Sequence, residues 1–295
     1  MARNLARAGY HIFAHDLSGE TLARACGEIG AEAPSSLKAL ARDCTLVITM
    51  LPDGDAVRTV VLGSGPNGDS LLAGFVRGGI LMDMSSSSPV GTRGLGTMLA
   101  DRGIALLDAP VSGGVKKAAD ASLSVMAGGD AEVLARCRPV LEAIGKQIFL
   151  TGPLGSGHAM KALNNYVSAA GLAAAIEAVL AGQRFGLDAK NVVEILNAST
   201  GMNNSTLNKF HQFILSRTFN SGFSLDLMVK DLRTAQEVAR ATGSPFPFGE
   251  ACVEAWSEAQ SVLGPGADHT AVARYWEQLA GTDLGGRKVG NGRAG

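Results

Sequence analysis

The stretch MARNLARAGYHIFAHDLSGE (residues 1–20) decides how the first half of this 295-residue chain is read. Leu5, Ala6 and Ala8 recur among Arg3, Asn4 and Arg7 up to Gly9, the pattern of a short helix with a glycine stop. HIFAH then reads as a short strand that runs into Asp16. A helix, a glycine, a strand and a closing acid form the back half of a β–α–β unit. The front half, a first strand and a glycine-rich loop leading into the helix, has no counterpart in the sequence. The expected sheet therefore lacks its first strand.

The same rhythm continues outward. TLVITMLP, GILMDMSS, IALLDAP, LSVMAGG and QIFLTG read as strands, and SGETLARACGEIG, PDGDAVRTVVLG, SPVGTRGLGTMLADRG and DAEVLARCRPVLEAIG read as the helices between them. Such alternation predicts an α/β, doubly wound and mostly parallel sheet, with the direction of its last strand–helix–strand repeat left open. After Gly155 the strand signals stop. Apolar residues at helical spacing predict one long helix over 156–184 and further helices near 188–197, 203–216, 225–242, 246–262 and 268–280. The expected division is an α/β domain at 1–153, an all-helical domain at 154–284 and a Gly-rich, basic, flexible tail at 285–295.

Composition narrows the function classes. The net charge of −1 gives no electrostatic footprint for nucleic acid or an acidic membrane. Cys26, Cys44, Cys137 and Cys252 are scattered without metal-ligand spacing and read as reduced core thiols of a cytoplasmic protein. The longest apolar run, Tyr166 to Ile176, is shorter than a bilayer span and is closed by Glu177.

Three stretches can carry chemistry. In LLDAPVSGGVKKAAD (106–120), a strand ends at Asp108 and Ser112-Gly113-Gly114 follows. Adjacent glycines bring backbone N–H groups close to a ligand and serine adds a hydroxyl, which suits a carboxylate; an ordinary glycine turn is the competing reading. In GSGHAMKALNN (155–165), Lys161, Asn164 and Asn165 fall at i, i+3 and i+4 and share one helix face. Two asparagines in an Ala-rich helix carry a propensity cost, and a desolvated lysine beside them can exchange a proton with a substrate hydroxyl. In FSLDLMVKDL (223–232), Lys230-Asp231 interrupts an apolar helix, a pattern that snorkelling alone would also produce. Leu51-Pro52, Ser86 and Asp16 sit at strand C-terminal ends, where open α/β sheets bind ligands.

In this order, the DAPVSGG loop, the GSGHAMKALNN segment and the FSLDLMVKDL helix resemble the β-hydroxyacid dehydrogenase family, in particular its 3-hydroxyisobutyrate dehydrogenase-like members, from Met1 to about residue 282. The resemblance implies a Rossmann-type domain followed by an all-α domain and NAD(P)-linked chemistry on a small 3-hydroxy acid. It also implies a homodimer or homotetramer. Residue by residue, it makes Lys161 the catalytic lysine and gives Asn165, Ser112, Gly113 and Gly114 to the substrate. Asp16, Leu51, Pro52, Ser86 and Lys230 go to the cofactor. Asp16 followed by Leu17, with no adjacent Arg, resembles NAD-preferring rather than NADP-preferring members. Met1-Ala2-Arg3-Asn4-Leu5 matches the family's first helix, so the chain is expected to be truncated before it.

Hydride transfer between nicotinamide and a 3-hydroxy carboxylate is the leading expectation. An NADPH-dependent semialdehyde reductase and a sugar-acid dehydrogenase of the same family are the enzymatic alternatives. A catalytically silent scaffold is the alternative from another class, because the glycine-rich loop is missing. No nucleic-acid, membrane or metal partner is expected.

Overall fold

The computed structural model describes residues 1–65 and 68–284, so the tail expected at 285–295 lies outside the described residues. The chain divides into two compact units, Met1–Lys161 and Ala162–Gly295.

The first unit opens with α1 (Ala2–Arg7), α2 (Gly19–Ile29) and α3 (Leu37–Asp43). Then come β1 (Leu46–Thr49), α4 (Gly54–Leu62), β2 (Ile80–Asp83), α5 (Pro89–Ala100) and β3 (Ala105–Asp108). The unit continues through β4 (Val111–Ser112), α6 (Gly114–Ala119), β5 (Leu123–Gly128), α7 (Ala131–Glu142) and β6 (Gly145–Gly152). Helix starts follow local chemistry. Ser18, Ser36, Asp53, Ser88 and Asp130 each accept a hydrogen bond from a backbone N–H in the first turn of the helix they precede, which satisfies donors the helix itself leaves over.

The six strands form one sheet in the order β1-β2-β3-β5-β4, with β6 also paired to β5. β1, β2 and β3 run parallel, β5 is antiparallel to β3 and β4, and β6 is parallel to β5. The direction that the sequence left open is thus a reversal at β5. Both faces of the sheet are covered. Ile80, Met82, Leu107 and Val125 pack with Leu134 and Leu141 on one side, and Val47, Leu81 and Leu106 pack with Val57, Leu95 and Leu99 on the other. Every residue of β2 is buried, as expected of a strand with helices on both faces.

One expected strand fails. HIFAH joins no sheet and makes a single bridge, Phe13 to Glu32. Its alternating pattern is real, but among the described residues no strand lies alongside it to complete a ladder, and β1 is paired on the β2 side only. The short α3 and β4 were missing from the expectation because seven and two residues are too few for a periodic signal.

Among the described residues the second unit is all-helical: α8 (Ser156–Phe185, shared with the first unit), α9 (Ala189–Asn197), α10 (Asn204–Asn208), a π-helical stretch at Phe210–Leu215, α11 (Leu225–Thr242), α12 (Pro247–Leu263) and α13 (Val272–Ala280), the last preceded by a 3-10 turn at His269–Ala271. Trp256, Phe210, Leu172, Ile176, Val193, Leu225 and Leu232 centre its core. By length and composition α8 could cross a bilayer, which revises the expectation of an over-short apolar run. Its Ala169, Leu172, Ile176 and Val179 are core residues of this unit, a setting that produces the same apolar pattern. Of the four unpaired thiols, Cys137 and Cys252 are buried, whereas Cys26 and Cys44 are only half-buried.

Candidate functional site

The parallel register sets Thr49, Asp83 and Asp108 abreast at the C-terminal ends of β1, β2 and β3. Two carboxylates in so dry a place need donors, and the chain supplies them locally. Asp83 Oδ1 accepts from the Ser85 N–H (2.9 Å) and the Thr49 hydroxyl (3.0 Å), and Oδ2 accepts from the Ser87 hydroxyl (2.7 Å). Ser85 Oγ in turn accepts the Leu51 N–H at 2.9 Å, so the loops after β1 and β2 are tied together. Ser86 lies half-buried in one of these loops, and Pro52 is exposed in the other.

Asp108 is wholly buried and caps the incoming α8: Oδ1 accepts the Gly155 N–H and Oδ2 the His158 N–H, both at 2.8 Å. The helix start comes close enough for this only because it is glycine-rich. A Cβ on Gly157 would lie 2.2 Å from the Met126 carbonyl oxygen, and one on Gly128 would lie 2.7 Å from Asp108 Oδ1. The glycines of GSGHAMK therefore serve a backbone-to-backbone docking joint, where the sequence offered only punctuation. His158, also buried, places Nδ1 2.8 Å from the Thr92 hydroxyl. Asp83, Asp108 and His158 were missed as a group, although an acid closing each apolar run (ILMD, ALLD) was the available signal.

Ser112 ends β4, pairing with Ser124 of β5, and is half-buried. Gly113 (φ +131°) and Gly114 (φ +67°) are exposed, open α6 in left-handed conformations and have no side-chain cap. Such angles favour glycine, so a turn is part of what these residues provide. Asp16 is exposed; its Oδ1 accepts the Ser18 N–H at 2.8 Å, which orients the carboxylate beyond the HIFAH segment.

Lys161 is the last residue of the first unit, one turn before Asn165 on α8. In the helical unit, Asn165 Nδ2 donates to Asp231 Oδ2 at 2.5 Å and Asn165 Oδ1 accepts from Asn164 at 3.2 Å. Lys230 Nζ stands 3.3 Å from Asp231 Oδ1. Asn165 and Lys230, far apart in sequence, thus converge on the buried carboxylate of Asp231, which the sequence showed only as the neighbour of Lys230 in an apolar helix.

The helical unit holds a second polar inlay. Lys209 Nζ donates to Ser168 Oγ at 3.1 Å, and burial pushes this amine down to about 8. Burial, with the Lys209 charge adding to it, pushes the His269 imidazole down to about 4.

Among the described residues, the exposed Asp16 carboxylate beyond the HIFAH segment and, at the ends of β1 and β2, the two tied loops at Leu51-Pro52 and Ser85-Ser86 with the Ser86 hydroxyl are groups of the chemistry a dinucleotide takes.

A family model described as the NAD binding domain of 6-phosphogluconate dehydrogenase matches residues 1–152, and one described as NAD-binding of NADP-dependent 3-hydroxyisobutyrate dehydrogenase matches residues 155–276. The chain is 34% identical to 2-(hydroxymethyl)glutarate dehydrogenase of Eubacterium barkeri over 97% of this chain and 93% of the relative. It is 37% identical to the NAD-dependent L-serine dehydrogenase of Pseudomonas aeruginosa over 84% of each. Among solved structures it is similar to the Mycobacterium tuberculosis 3-hydroxyisobutyrate dehydrogenase with L-serine, at a TM-score of 0.81 and 30% identity, covering 93% of this chain and 94% of that one.

Proposed function

The chain belongs to the β-hydroxyacid dehydrogenase family, and from that premise we propose that it transfers a hydride between NAD and a small 3-hydroxy carboxylate of the 3-hydroxyisobutyrate kind. The observation that carries this reading is the buried hydrogen bond from Asn165 to Asp231, made from the helix that also bears Lys161. An amide fixed in this way keeps its second Nδ2 hydrogen for a substrate oxygen.

Lys161 takes the hydroxyl proton as the carbinol carbon is oxidised and returns it to the carbonyl oxygen in the reverse direction. The Ser112 hydroxyl, with Gly113 and Gly114, holds the carboxylate and so fixes which carbon reacts. The dinucleotide supplies the hydride acceptor when bound. Asp16, Leu51, Pro52, Ser86 and Lys230 are the residues we assign to holding it. Asp16 favours NAD: its carboxylate can accept from a ribose 2′-hydroxyl and would repel a 2′-phosphate, and its neighbour Leu17 offers no cation. We read the enzyme as cytoplasmic, supported by its unpaired thiols, and as a homo-oligomer, supported by exposed Val167, Phe185 and Leu207 on its helical unit.

The test is turnover of the purified chain with 3-hydroxyisobutyrate, L-serine and 2-(hydroxymethyl)glutarate, each with NAD and with NADP. We expect oxidation of at least one acid, with the higher kcat/KM on NAD. Turnover on NADP alone would reassign the nucleotide, and none on either would sink the dehydrogenase reading for this chain.

A further inference from the structure

We propose that His158 is a positioning residue: its ring, set between the carboxylates that end β2 and β3, fixes the first turn of α8 and through it the placement of Lys161. The proposal rests on Lys161 being the acid–base lysine.

His158 precedes Lys161 by three residues on α8, so the two side chains share a face of the helix. Its backbone N–H is held by Asp108, which anchors the turn to β3. The ring extends that anchor to two further elements. Nδ1 lies 2.8 Å from the Thr92 hydroxyl on α5, and Nε2 lies 3.7 Å from Asp83 Oδ2 at the end of β2. Asp108 Oδ2 also stands 3.9 Å from Nδ1. Asp83 is the carboxylate that gathers Thr49, Ser85 and Ser87, and Ser85 holds Leu51. One side chain therefore spans from the turn before Lys161 to the loops assigned to the cofactor.

The hydrogen-bond pattern gives the ring a tautomer. Nε2 is buried without a hydrogen-bond partner among the described residues. The Thr92 hydroxyl has one hydrogen and two acceptors in reach, His158 Nδ1 and the Ser88 carbonyl oxygen at 2.9 Å. If that hydrogen goes to Ser88, a neutral ring donates from Nδ1 and turns the bare lone pair of Nε2 toward a carboxylate, which is repulsive. If it goes to Nδ1, it covers the lone pair that faces Asp108, and the ring's own hydrogen sits on Nε2 and points at Asp83, which is attractive. At 3.7 Å the second contact is too long for a hydrogen bond, so it acts as a charge–dipole attraction between buried groups. That attraction orients the ring and, with it, the turn.

The variants H158Q, H158N and H158L test the idea in the full chain. Glutamine can present an N–H near the place of Nε2, asparagine reaches only the place of Nδ1, and leucine has neither donor. Three measurements apply: kcat and KM with the best hydroxy acid, the rate of trace acylation of the Lys161 amine read by mass spectrometry, and thermal unfolding. H158Q should hold kcat and Lys161 reactivity within about twofold of wild type. H158N and H158L should lose about tenfold in kcat, with KM changed less, and shift Lys161 reactivity by about threefold. Three variants that all match wild type, or that all fall alike in step with their loss of stability, would overturn the proposal. Should H158L not fold, H158N alone carries the expected losses, read against H158Q. The acylation series needs no turnover. A wild-type chain inactive on every hydroxy acid would count against the dehydrogenase reading, while the Lys161 series would still decide the role of His158.

Discussion

In the α/β unit, Asp83 and Asp108 are satisfied by backbone N–H groups and by hydroxyls of neighbouring strand ends and loops. In the helical unit, Asp231 is satisfied by the side chains of Asn165 and Lys230. All three carboxylates are buried, yet the difference in partners separates two kinds of work. A carboxylate bonded to backbone cannot change partners without unfolding its surroundings. One bonded to an amide and an ammonium can let either side chain turn to a ligand. The first kind ties the strand ends and loops of its unit together, and the second kind leaves its partners able to turn toward a ligand.

This contrast can be broken or sharpened by four measurements. The largest effect belongs to Lys161→Ala: turnover should fall by about a thousandfold, in the range of a lost acid–base group, while nucleotide affinity by calorimetry stays within about twofold. Asp108→Ala comes next. It strands two buried N–H groups and should cost about 3 kcal/mol in denaturant unfolding. Loss of activity with unchanged stability in that variant would erase the distinction between scaffold and working carboxylates. Asp231→Asn should do the opposite, lowering kcat about tenfold while unfolding stability moves by under about 1 kcal/mol.

The smallest effect is one of pH. His269 is held down to about 4 from 6.5 by burial and by Lys209, so between those values the unfolded chain binds a proton that the folded one refuses. Stability should therefore fall as pH drops from 6.5 toward 4, by about 2 kcal/mol after allowing for partial relaxation. His269→Phe should flatten that slope in thermal unfolding followed across the window.

Much of this was legible from the sequence, for physical reasons that vary by region. β2 and β3 announce themselves because a strand covered on both faces must be apolar throughout, and α8 and α11 do so through helical spacing with a serine cap or a glycine stop. HIFAH misled because alternation reports a half-buried segment and cannot say whether a neighbouring strand exists to pair with it. The site was half legible. Lys161, Asn165 and Ser112–Gly114 stand out as polar or glycine residues at telling spacings. Asp231 and His158 act through partners 66 residues away, which no local pattern encodes. The inlay of Lys209 and His269 was hidden for the same reason, since its members come from separate stretches of the chain and meet only in the packed unit.

The row of Thr49, Asp83 and Asp108 has a further consequence, for how the chain finds its fold. Parallel strands joined through helices pair late and could slide past one another, because apolar runs such as ILMD and ALLD pack acceptably in several alignments. A slip of one residue would turn Asp83 onto the opposite face, toward Leu107, Leu134 and Leu141, away from every donor it now uses. The acids thus act as a zero mark on a ruler: misaligned sheets are penalised while they form, and proofreading of strand alignment is built into the same residues that later frame the site.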